Sequence, residues 1–115
     1  MYSKQIIRAL NTKPEHISPQ QKQALDDDGF YIVEDVLSAS ECATMAQAFE
    51  DLFARESDQG GHEVHIEPGA RRVSNIFNKT DVFDKCLEVP EILAASHYLL
   101  GEFKVHGANL RDPEK

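Results

Sequence analysis

Apolar positions along this chain change their spacing several times, and each change marks an element. Ser18 precedes Pro19, with Gln21 three residues on: a capping box that starts a helix. Gly29 supplies the left-handed residue that ends it. Phe30, Tyr31, Ile32 and Val33 are aromatic or β-branched throughout and read as a buried strand. Ser38 and Glu41 form a second capping box. Behind it Cys42, Met45, Ala46, Phe49, Leu52 and Phe53 recur every three or four residues, one core-facing stripe on a helix from about 39 to 55. Residues 56–71 are polar and contain glycine, as a loop with one short extended piece would. Val73 to Phe77 is a further extended candidate. Thr80 caps a short helix carrying Val82, Phe83 and Leu87, and a longer helix runs from Pro90 to Gly101. Strand character returns from Phe103 to Leu110. The first 17 residues read as a loosely attached arm or a short helix. Helix, strand, helix, loop, two helices and strand make an α+β chain with helices over one face of a sheet. The three or four strand candidates supply little sheet for those helices to cover.

Length and charge narrow this. At 115 residues the chain holds one domain at most. Its net charge of −8 excludes an electrostatic grip on nucleic acid or on an anionic membrane. Asp26, Asp27 and Asp28 form the one acidic run, a solvated helix end without the spacing of a cation site. Cys42 and Cys86 are not paired as CxxC and read as small buried hydrophobes in a reducing compartment. No apolar run approaches the roughly 18 residues that a membrane span needs. The start, MYSKQIIRALN, lacks a small-residue cleavage site. A cytoplasmic location is the expectation.

Candidate chemistry is sparse. His62 and His65 form HxxH, which holds zinc on a helix, but Gly60, Gly61, Pro68 and Gly69 flank the pair. In an extended chain the two rings would point to opposite faces. His65 and Glu67, two apart, would share a face and make two thirds of a non-haem iron triad, with His97 or His106 as the third ligand; a polar loop is the simpler reading. A small metal-binding protein using His62, His65 and Glu67 stays as an alternative. Arg71 and Arg72 are a basic pair in an acidic protein, for ion pairing or for an anionic ligand. Ser74, Asn75, Asn78 and Lys79 follow closely. No GxGxxG, P-loop, GxSxG or Ser/His/Asp arrangement occurs.

Three segments taken together resemble the opening third of the phytanoyl-CoA dioxygenase family: SPQQKQALDDDGFYIVEDVLSASE (18–41), GGHEVHIEPGARRVSNIFNKTDVFDK (60–85) and HYLLGEFKVHGANLRDP (97–113). The resemblance implies helices packed on part of a double-stranded β-helix, a cupin-like jelly roll left incomplete in this chain. Residues 1–17 would be an N-terminal arm and residues 18–115 the front of the dioxygenase domain. It implies an iron(II)- and 2-oxoglutarate-dependent oxygenase that hydroxylates a small organic substrate. Two histidines and one carboxylate would hold the iron on one face. The family's HxD pair lies downstream of the RDP strand, and no HxD occurs here. This chain alone is therefore expected to bind neither iron nor 2-oxoglutarate and to be inactive, as the N-terminal portion of a longer protein or a truncated gene product. Asn109 and Arg111, two apart on the last strand, are the implied contacts to 2-oxoglutarate or substrate, with Gly107 leaving room beside them. Arg72, Asn75 and Asn78 form a second, substrate-binding group. The alternative is a non-catalytic α+β module that binds a partner, or a second copy, through an exposed sheet edge.

Overall fold

The computed structural model describes residues 3–56 and 68–113. In chain order these form helix α1 (Ser3–Ala9), helix α2 (Pro19–Asp27), helix α3 (Ala39–Glu56), strand β1 (Ala70–Ser74), helix α4 (Pro90–Leu100) and strand β2 (Asn109–Pro113). Short 3-10 turns cover Pro14–His16, Ile76–Asn78 and Asp84–Leu87. The class is α+β, with one two-stranded antiparallel sheet among the described residues. The described residues fall into two compact units. One comprises those up to Val36 with Lys85–Lys104; the other comprises those within Leu37–Asp84 and from Val105 onward.

In the first unit, α2 is closed by the reciprocal bonds its sequence calls for. Gln21 N donates to Ser18 Oγ (3.1 Å) and Ser18 N donates to Gln21 Oε1 (2.8 Å), so two orphan amides are satisfied locally. Gly29 ends the helix at φ +83, a conformation open to glycine at little cost. α1 and the Pro14–His16 turn pack against α4, and Ile17, Val89, Leu93 and Ala94 are buried. The Tyr98 hydroxyl donates to Asp26 at 2.9 Å, which joins α4 to α2. The acidic run at the end of α2 is exposed, as its composition implied.

One expectation fails in this unit. Phe30 to Val33 joins no ladder among the described residues, and Phe30 and Ile32 are 64% and 77% exposed. β propensity reports fitness for a pleated, half-buried surface. Without a neighbouring strand among the described residues, the segment alternates between exposed Phe30 and Ile32 and half-buried Tyr31 and Val33.

In the second unit, Ser38 and Glu41 close the second capping box: Ser38 N donates to Glu41 Oε2 (2.8 Å) and Glu41 N to Ser38 Oγ (3.1 Å). The stripe on α3 then packs on the sheet. Leu52, Val73, Ile76 and Phe83 form the buried cluster, with Met45, Phe49, Phe53 and Leu110 among the side chains against it. Lys79 Nζ meets Glu56 Oε1 at 2.6 Å and ties the turn after β1 to the end of α3.

Four sequence readings are corrected here. Cys42 is exposed, because the packed part of α3 begins at Met45, about one turn further on. Cys86 is exposed as well, since the 3-10 turn that carries it buries none of its residues. The last strand starts at Asn109 rather than Phe103. Its partner explains this: after Ser74 the backbone turns away through Asn75 at φ +57 into a 3-10 turn, so the ladder ends with Ser74 opposite Asn109. For the same reason the extended candidate at Val73 to Phe77 stops at Ser74.

Candidate functional site

Successive strand residues point to opposite faces, and this separates Arg71 from Arg72. The register places Arg71 opposite Asp112, Arg72 opposite Arg111, Val73 opposite Leu110 and Ser74 opposite Asn109. Val73 and Leu110 belong to the face packed on α3. Arg72, Ser74, Asn109 and Arg111 share the other. Oriented by its neighbours, the Asn109 amide donates to Ser74 Oγ (3.3 Å) and to the Ala108 carbonyl (3.2 Å), and its oxygen accepts from Arg72 Nη2 (3.2 Å). Two residue groups that looked separate in sequence therefore meet: Arg72 from the second, Asn109 and Arg111 from the first. This face carries the guanidinium groups of Arg72 and Arg111, while the buried Ser74 hydroxyl and the Asn109 amide hydrogens are engaged within it. A Cβ added at Gly107 would meet nothing within 4 Å, so there is space beside it.

Asn75 and Asn78 lie in the turn after β1. Asn78 Nδ2 donates to Asn75 Oδ1 at 2.6 Å, and Asn75 holds the left-handed turn that leaves β1. These two shape the turn.

Arg71 was one half of a basic pair with two open roles, and the ion-pairing role is the one realised. Its guanidinium donates to both carboxylate oxygens of Glu50 on α3, each at 2.9 Å, and its Nε donates to Asp112 Oδ2 on β2 at 3.0 Å. It also lies over Phe49 (5.0 Å) and Phe53 (5.3 Å), within cation–π range. Glu50 and Asp112 carried no sequence signal for this, because their meeting depends on the fold. The one available hint is strand alternation, which sends adjacent arginines to opposite faces.

The hydrogen bond from Arg71 holds the Glu50 carboxyl below its ordinary value of 4.5. Folding thus favours the charged carboxylate, so its contribution is complete above about pH 4.5 and is lost as pH falls through the lowered folded value. Glu50→Gln should accordingly lower the urea midpoint at neutral pH, and the gap to the unsubstituted chain should narrow by about pH 3. An equal gap at both pH values would show that the carboxylate charge is not what matters.

The histidines are dispersed. His16 Nδ1 accepts from Lys13 N (2.8 Å), and His97 Nδ1 is 2.9 Å from the Gly101 carbonyl at the end of α4. His106 is exposed. His62, His65 and Glu67 lie outside the described residues. No group of three or more His, Cys, Asp or Glu side chains among the described residues is placed to hold a metal ion. Also among them, no helix is long and apolar enough to cross a membrane.

In this α+β chain, β2 brings Asn109 and Arg111 beside Arg72 of β1. The profile of the Phytanoyl-CoA dioxygenase (PhyH) family matches residues 25–111, and the chain belongs to that family. It is similar to the ectoine dioxygenase of Sphingopyxis alaskensis (strain DSM 13593 / LMG 18877 / RB2256), with 27% identity over 109 residues, 91% of this chain and 36% of that protein. The chain thus spans about a third of the length of that relative. No solved structure gives a significant match.

Proposed function

We propose that this chain forms the leading part of an iron(II)- and 2-oxoglutarate-dependent dioxygenase domain that hydroxylates a small organic substrate in the cytoplasm. On this reading β1 and β2 begin the double-stranded β-helix, and Arg72, Asn109 and Arg111 face the carboxylate of 2-oxoglutarate or of the substrate. The observation that carries it is the register that sets these three side chains on one polar face of the sheet. Membership of the dioxygenase family and the match to 36% of a dioxygenase support the same reading.

The two cofactors fit this chain differently. A carboxylate suits this face, where the guanidinium groups would bind and orient it. Iron does not suit the residues described: His16 and His97 are engaged at helix ends, and the sequence contains no His-x-Asp. No step through iron follows from this chain, and by itself it should be inactive.

The test is to read the coding sequence past the Lys115 codon and to assay its product for succinate release from 2-oxoglutarate with iron(II) and oxygen. The expected result is a His-x-Asp within some tens of residues and substrate-dependent succinate from the longer polypeptide, with none from the 115-residue chain. Turnover by the 115-residue chain, or a longer product without a metal set, would overturn the proposal.

A further inference from the structure

The β1–β2 pair is five residues long on each side, and residues 75–108 separate its strands, so no tight turn sets its register. The apolar pattern sets it only weakly. A slip of two residues keeps every side chain on its own face and would place Val73 opposite Ala108, which also packs on the core. The observed register even sets two cations, Arg72 and Arg111, directly across from each other, which disfavours the pairing. A slip of two would set Arg72 against Asn109 or Pro113 instead.

The side chain that ties the observed register to α3 is Arg71. With Asp112 directly opposite, its guanidinium meets Asp112 while it also grips Glu50 on α3 with two bonds. The stack on Phe49 and Phe53 holds the same guanidinium against the helix.

We propose that Arg71 is the positioning residue of the polar face: by bonding Glu50 and Asp112 together, it fixes the register that brings Arg72, Asn109 and Arg111 side by side. This rests on the reading of that face as the ligand-binding one. Arg71 touches no ligand in this role and acts through the strand pairing.

The test is backbone NMR of the chain and of three variants. The unsubstituted chain should show cross-strand contacts between Arg72 and Arg111 and between Ser74 and Asn109. Asp112→Ala removes the cross-strand half of the clamp and leaves the Arg71–Glu50 grip on α3. It should lose those contacts, or show a second set pairing Arg72 with Asn109, while the α3 amide signals stay in place. Arg71→Met, which keeps an apolar stem over the rings, should do the same. Asp112→Glu restores a carboxylate within reach and should restore the single register. One wild-type set of contacts in Asp112→Ala would overturn the proposal, and so would failure of Asp112→Glu to restore it. These contacts are read without any ligand. If full turnover persists in the longer polypeptide carrying Arg111→Ala, the functional reading falls and the register result stands.

Discussion

Replacing Leu52 by alanine is expected to destabilise the unit built from α3, β1 and β2 by about 3 kcal/mol. Leu52 is 2% exposed and sits in the buried cluster with Val73, Ile76 and Phe83. Removing its branched end takes away transfer free energy and leaves a cavity that so small a cluster relaxes around only in part. Set against a whole-domain stability of about 5–15 kcal/mol, that loss is large. Urea denaturation followed by circular dichroism should show the midpoint falling with little change in slope. Ile32→Ser is the matched control: at 77% exposure its change should stay within about 0.5 kcal/mol. Equal effects of the two would mean that the core does not lie where α3 meets the sheet.

The second large effect concerns ligand binding. In the longer polypeptide of the proposed dioxygenase, Arg111→Ala should lower kcat/KM by about a hundredfold, the scale of losing one well-placed donor in a closed site. Arg111→Lys should recover only part, because an ammonium cannot reproduce the planar fork of a guanidinium on a carboxylate. Asn75→Ala should change kcat/KM little, since Asn75 serves the turn after β1 through its bond with Asn78. A loss at Asn75 equal to that at Arg111 would place the ligand at the turn and not on the strand face.

Elements with local causes were legible in the sequence. The helix starts at Ser18 and Ser38 rest on hydrogen bonds that reach three residues, and Gly29 and Gly101 end helices through their own φ angles. The apolar stripe on α3 located the core, because helical spacing alone puts Met45, Phe49, Leu52 and Phe53 on one side. The three segments also carried enough information to identify the family. Where a reading depended on a partner, it was less secure. Phe30 to Val33 has the composition of a strand and pairs with nothing described, while β2 is shorter than its composition suggests because β1 turns away after Ser74.

The candidate site divides along the same line. Asn109 and Arg111 were legible as a pair because residues two apart on a strand share a face. That Arg72 joins them and Arg71 does not depends on the β1–β2 register, which pairs residues far apart in the chain. By itself, then, the sequence determined where α2 and α3 begin, where α2 and α4 end, which side of α3 is buried, and the family. Only the tertiary structure decided which strands pair, that Cys42 and Cys86 are exposed, and that Arg71 locks the sheet to α3 while Arg72 meets Asn109. The physical reason is reach: a cap or a periodic stripe is complete within a few residues, whereas a strand face acquires its neighbours only when a distant segment pairs with it.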